Sequence, residues 1–211
     1  MLEVVDLECV RGDRRLFSGL SFSLGGGTLL HLHGHNGSGK TTLMRTLCGL
    51  VQPTAGEVLW DGESIRKQGE DYRRDLVYIG HKSGIKGDLT GIENLRISCA
   101  LDGVAISEKQ AWDALEQMGL NGHEDLPARV LSQGQTRRVS LARLLVNRSR
   151  IWVLDEPFTA LDKAAVEFLQ SVIRSHVDAG GMVILTTHQE VKITKGQVQE
   201  LQLGWKRDGD V

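Results

Sequence analysis

Short apolar runs bounded by turn residues alternate along the chain with stretches in which apolar side chains recur every three or four positions, the order of strands feeding helices. Leu20 to Leu24 and Thr28 to His33 read as strands leading into a Gly-rich turn. Leu43, Leu47 and Leu50 follow at helical spacing, so the first helix starts inside that turn, with Cys48-Gly49 and Pro53 as its stop. Gly56 to Gly62 reads as a short strand with a turn, and Leu76 to Ile79 as a buried strand. From Gly84 to about Arg148 the pattern changes. Helices are expected from Ile92 to Leu101, from Ser107 to Met118 and from Ser132 onward, with no strand. Strand character returns at Ile151 to Leu154, followed by a helix from Asp162 to about Val177 and a strand from Met182 to Thr186. In that helix Ala165, Phe168, Leu169, Val172, Ile173 and His176 trace one face, as on a helix lying against a sheet. The expectation is one α/β domain, its core over about residues 1–83 and 149–211, with a helical subdomain inserted over about 84–148.

Composition narrows the function without deciding it. Of 211 residues, 40% are apolar and 25% charged, and 25 Lys plus Arg against 27 Asp plus Glu give a net charge of −2. That is an ordinary globular balance with no basic footprint for nucleic acid. The longest near-apolar stretches, such as Ile151 to Leu154, fall far short of the ~20 residues a membrane helix needs. Met1-Leu2-Glu3-Val4 lacks the basic start and apolar middle of a secretory signal, so a cytosolic location is expected. Cys9, Cys48 and Cys99 lie far apart and form no CxxC pair, which reads as reduced, buried thiols.

The chemistry is concentrated in two places. Gly34-His35-Asn36-Gly37-Ser38-Gly39-Lys40-Thr41 matches GxxxxGK(S/T), preceded by an apolar strand and followed by a helix. Glycines allow the backbone to wrap around phosphates with its N–H groups inward, and the helix adds its positive end. Lys40 is placed to pair with the β- and γ-phosphates and the Thr41 hydroxyl to ligate Mg²⁺, with Thr42 completing the nucleotide-binding set. His31, His33 and His35 alternate along the same strand and turn. A metal trio is the sharper reading, but His35 falls inside the phosphate loop and no carboxylate or cysteine completes a site nearby. Strand packing and loop hydrogen bonding are preferred. The second place is Ile151-Trp152-Val153-Leu154-Asp155-Glu156, an apolar strand ending in two carboxylates, the form of a Walker B segment. Asp155 would hold Mg²⁺, usually through water, and Glu156 would polarise an attacking water.

Leu131-Ser132-Gln133-Gly134-Gln135, taken alone, is only the capped start of a helix. Set in order with GHNGSGKT, WVLDEP, TALD and TTH, it resembles the signature segment of the nucleotide-binding subunits of ABC transporters, and the resemblance covers the whole chain. It implies a P-loop NTPase with a RecA-like core, an antiparallel β portion and an inserted helical subdomain. It further implies ATP and Mg²⁺ as cofactors and a homodimer that sandwiches two ATPs. Ser132, Gln133, Gly134 and Gln135 would then act in trans on the partner's γ-phosphate, Asp162 would match the D-loop aspartate linking the two sites, and His188 the switch histidine.

Two positions depart from that pattern. His81 stands where the Q-loop glutamine is expected, and Arg11 near the place of the aromatic residue that stacks on adenine. An imidazole can still hydrogen-bond and a guanidinium can stack on a base, so an active ATPase with altered pH dependence and looser base selectivity is expected. Gln133 replaces the usual glycine, reshaping the signature contact. These departures, with Ile79-Gly80-His81, Gly84-Ile85-Lys86 and Thr186 to Gln189, make the chain similar to the haem-exporter ATP-binding subunits of bacterial cytochrome c maturation. That likeness implies a peripheral subunit on the cytoplasmic face of the inner membrane, bound to integral membrane transporter subunits through residues 84–127. Its ATP hydrolysis would power release of a haem-loaded chaperone, without haem contact of its own. From the stretch after His188, no appended regulatory domain is expected. A subunit of a transporter for another solute carries the same catalytic motifs. A soluble protein acting on ribosomes or DNA fits less well, since such proteins usually carry two cassettes or a long coiled-coil insertion.

Overall fold

The computed structural model describes residues 1–189 and 196–204; residues 190–195 and 205–211, which belong to the second part of the expected core, lie outside it. The chain opens with strands β1 (Leu2–Arg11), β2 (Arg14–Leu24) and β3 (Thr28–His33), then helix α1 (Lys40–Leu47). Strands β4 (Ala55–Trp60) and β5 (Glu63–Ser64) precede two short helices, α2 (Ile65–Gln68) and α3 (Glu70–Arg74), and strand β6 (Leu76–Ile79). An all-helical stretch follows: α4 (Gly91–Leu101), α5 (Glu108–Gln117), α6 (Gln133–Leu141) and α7 (Arg143–Val146). Strand β7 (Ile151–Asp155), helix α8 (Lys163–Asp178) and strands β8 (Met182–Thr186) and β9 (Gln197–Gln202) complete the described elements.

Two sheets form. One is antiparallel, in the order β2-β1-β4-β5; the other is parallel, in the order β6-β7-β8-β3-β9. The parallel sheet is covered on both faces, which is why its inner strands are continuous apolar runs. Along β7, Trp152 and Leu154 point to the core shared with α4, α5, α6 and α8, while Ile151 and Val153 point to the core shared with α1 and the antiparallel sheet. β8 divides the same way, Val183 and Leu185 against Met182 and Ile184. The sheet therefore carries the ends of β3, β7 and β8 to one edge, where the chemistry lies.

Several elements differ from the sequence expectation. β1 was hidden by a bulge: Leu2 and Val4 point inward, then the register shifts at Asp6, which adopts φ +48°, and Leu7 and Cys9 become the buried positions. A one-residue shift moves the apolar set to the other parity, so no alternation survives over the whole strand. β9 is an edge strand, largely exposed, and QVQELQ carries no apolar run to reveal it. α1 stops at Leu47, leaving Leu50 outside the helix and 62% exposed. The helix starting after Ser132 ends at Leu141 and resumes as α7 after Ala142.

α8 lies on the sheet through Ala165, Leu169, Ile173 and Val177. The His176 ring stacks flat on Trp152, centroids 3.7 Å apart and planes 5° from parallel. Burial pushes the His176 pKa down to about 4. The folded state therefore keeps this ring neutral, while an unfolded histidine takes up a proton near its ordinary pKa. Stability from this site is complete above the unfolded value and is lost as pH falls toward about 4. Replacing His176 with Leu is expected to flatten this acid limb: the drop in melting temperature between pH 7.5 and pH 5 should be smaller in the variant. An equal drop in both proteins contradicts this assignment.

Candidate nucleotide site

β3 delivers the chain into the loop from Gly34 to Gly39, and α1 begins at Lys40 with Gly39 as its N-cap. Gly34 has φ +148°, and a Cβ there would lie 2.3 Å from the Leu203 carbonyl oxygen and 2.4 Å from Ser38 Oγ. Only glycine fits this turn. The Lys40 ammonium folds back over the loop, donating to the Gly34 carbonyl at 2.5 Å and the His35 carbonyl at 3.2 Å. His35 Nδ1 lies 2.9 Å from the Asn36 carbonyl, the loop hydrogen bonding expected of it.

The carboxylate at the end of β7 organises the other wall. Asp155 Oδ2 accepts from Thr41 Oγ1 at 2.9 Å, and Oδ1 accepts from Thr186 Oγ1 at 2.8 Å. Asp155 and Thr186 are register partners across β7 and β8, so the sheet itself sets this contact. Glu156 then turns out of the strand at φ +49°, its N–H donating to the Thr186 carbonyl at 3.1 Å. Its Oε1 lies 3.6 Å from His188 Nε2. Lys40, Thr41, Asp155, Glu156 and His188 line one cleft of about 600 Å³, and Arg11 and His81 line it as well. Asn36, Gly37, Gly39 and Thr42 form its remaining loop surface.

The signature residues and Asp162 do not line this cleft. Ser132 caps α6: its Oγ accepts from the Gln135 N–H at 3.2 Å, and Gln135 Oε1 accepts from the Ser132 N–H at 2.8 Å. This reciprocal cap leaves the Gln133 and Gly134 N–H groups at the open helix end, with Gln133 exposed. A Cβ on Gly134 would lie 2.6 Å from the Ala160 carbonyl oxygen, so this glycine is required by contact within the chain. Asp162 caps α8 through Ala165 N–H at 2.9 Å and accepts from Arg138 Nη2 at 2.5 Å. The Ala165 N–H, aided by Arg138, holds its carboxyl below the usual range.

The ABC transporter family profile matches residues 17–159. The chain belongs to the ABC transporter family. Among curated proteins, the cytochrome c biogenesis ATP-binding export protein CcmA of Nitrosospira multiformis is 57% identical over 202 residues, covering 96% of this chain and 98% of that protein. The protein of the same name from Nitrosomonas europaea is 59% identical, covering 96% and 95%. A solved structure titled as a putative ABC transporter ATP-binding protein from Pyrococcus furiosus superimposes with a TM-score of 0.80 at 27% identity, covering 96% of each chain. A dimeric ATP-binding cassette bound to ADP and Pi shares the fold at a TM-score of 0.83 and 22% identity, again covering 96% of each. The chain is an ABC-type ATPase.

Within this ABC subunit, sequence reading passed over Arg137. It lies on α6 and is 5% exposed. Its guanidinium donates to four carbonyls: Gly80 at 2.8 Å, Glu156 at 3.0 Å, Asp155 at 3.1 Å and Pro157 at 3.4 Å. Burial lowers its pKa, countered by the charges of Asp155 and Glu156. One side chain thus pins the helix that starts at Ser132 to the backbone beside both His81 and Glu156. The available signal was an arginine one helical turn from Ser140 and Leu141, on the buried face of α6. Replacing Arg137 with Met leaves these carbonyls without their donor and is expected to cost about 3 kcal/mol of unfolding free energy. Urea denaturation reads this directly, and a loss under about 1 kcal/mol contradicts the clamp.

Proposed function

We propose that this chain is the ATP-hydrolysing subunit of a membrane complex for haem export in cytochrome c biogenesis, powering release of a haem-loaded chaperone. The observation that carries the catalytic part is the single cleft uniting Lys40 and Thr41 with Asp155, Glu156 and His188. The names of relatives 57% and 59% identical, covering nearly all of the chain, support the process.

In this reading the loop N–H groups and Lys40 bind the β- and γ-phosphates, with Lys40 exchanging its loop carbonyls for phosphate oxygens. Thr41 Oγ1 and Asp155 Oδ2, 2.9 Å apart, are hard oxygen donors of the kind Mg²⁺ takes. These two would hold the ion, which when bound neutralises charge on the phosphate oxygens. Glu156 takes the proton of the attacking water, and His188 orients that water against the terminal phosphate. His81, which lines the same cleft, hydrogen-bonds the Mg²⁺ shell or the water, and Arg11 stacks on the base.

Ser132, Gln133, Gly134, Gln135 and Asp162 lie outside the cleft they are expected to serve, which supports a homodimer in which α6 of each copy closes the other copy's site. The division into a core over about 1–83 and 149–211 and a helical subdomain over 84–148 serves the same arrangement. Residues 84–127 are assigned to contact with the membrane subunits. There Leu101, 83% exposed, shares a cleft of about 370 Å³ with Leu50, Arg73 and Arg74. No helix among the described residues is long and apolar enough to cross a membrane. In the proposed complex the membrane path falls to those partners, and this chain sits on the cytoplasmic face of the bacterial inner membrane.

Replacing Glu156 with Gln is expected to keep ATP binding and slow hydrolysis roughly 10²-fold or more. Replacing Lys40 with Ala is expected to weaken binding itself. Titration with labelled ATP and a single-turnover assay separate the two effects, and full-rate hydrolysis by Glu156→Gln removes that residue from its role. Identifying the membrane proteins that copurify with the tagged chain tests the process; partners belonging to the transport of another solute overturn the haem assignment.

A further inference from the structure

The alternating histidines of β3 take no part in the chemistry above, yet they reach it. His31 sits on a central strand, paired with Leu185 of β8. Its Nε2 lies 3.1 Å from the carbonyl oxygen of Thr187, the residue before His188. A carbonyl only accepts, so Nε2 carries a hydrogen and donates it. The His33 ring packs against His31, centroids 3.9 Å apart at 45°, and His33 Nε2 lies 4.0 Å from Glu200 on β9. A line of side chains therefore runs from the edge strand to the backbone that carries the switch histidine.

That backbone needs a hold. β8 ends at Thr186, so the strand ladder no longer engages the Thr187 carbonyl, and the chain turns as the Gln189 N–H donates to Thr187 Oγ1 at 2.9 Å. The His188 side chain itself is 84% exposed. An exposed ring takes its position from its backbone, and a displacement of about 1 Å at a reacting group costs up to about a hundredfold in rate. Burial, with His33 beside it, lowers the His31 pKa against the raising influence of the Thr187 carbonyl and of Glu200 and Glu156, which favours the neutral donor.

We propose that His31 is a positioning residue for ATP hydrolysis: its hydrogen bond to the Thr187 carbonyl fixes the backbone from which His188 approaches Glu156 and the terminal phosphate. The inference rests on the role proposed for His188. It is tested with the full-length chain by single-turnover hydrolysis and by equilibrium affinity for labelled MgATP, in His31→Leu, His31→Gln, His188→Ala and the His31→Leu/His188→Ala double variant. His31→Leu is expected to slow hydrolysis about tenfold with affinity within about twofold of wild type. His31→Gln, whose amide N–H can donate to the same carbonyl, is expected to recover most of the rate. In the His188→Ala background, His31→Leu should add no further loss. A full rate in His31→Leu, an equal loss in His31→Gln, or a loss of affinity matching the loss of rate each overturns the positioning role. A further loss on top of His188→Ala does the same. An unaltered rate in His188→Ala removes the switch role and the inference with it, whereas a slow His188→Ala beside a full-rate His31→Leu overturns the inference alone.

Discussion

The site is built on one buried carboxylate. Asp155 is 4% exposed and accepts a hydroxyl proton on each oxygen, from Thr41 at the start of α1 and from Thr186 at the end of β8. A buried carboxylate is costly unless such donors replace the hydrogen bonds it gives up to water. In satisfying that demand the chain brings three elements, distant in sequence, to one point. The distance between the Gly34–Gly39 loop and the wall carrying Glu156 and His188 follows from it. Thr186 extends the arrangement by one residue, because it also receives the Glu156 N–H that leaves the strand.

Two adjacent arginines carry this order outward. Arg137 turns inward from α6 and gathers the carbonyls at the end of β7 and beside His81, while Arg138 turns to Asp162 and to the Gly119 carbonyl at 3.1 Å. The helix that begins at Ser132 is thereby tied to the end of β7 on one side and to the start of α8 on the other. Gly134 presses against Ala160 between them, which makes the signature end and the 159–162 turn one packed unit. The helical stretch is thus hydrogen-bonded directly to the backbone of Glu156.

What the sequence revealed follows from burial. β3, β6 and β8 are legible to the residue because most of their positions are buried and apolar and turn residues bound them. β1 is not, since the bulge at Asp6 breaks its parity, and neither is β9, whose exposed edge position tolerates glutamines. The phosphate loop and the Asp155-Glu156 pair were legible because phosphate and metal chemistry restrict residue type at fixed spacing. His81 and Arg11 were found only through a family pattern they depart from, and both line the cleft. Arg137 was passed over and His31 was read as strand packing because each meets a backbone carbonyl, and a carbonyl leaves no mark on the sequence of its partner.

The proposed hydrolysis requires a terminal phosphate held by two copies of the chain. The most direct measurement is a structure of the Glu156→Gln variant with MgATP. The expected result places each γ-phosphate between Lys40 of one copy and Ser132 of the partner subunit, across a two-fold interface. A nucleotide-loaded structure in which Ser132 is remote from every terminal phosphate contradicts it.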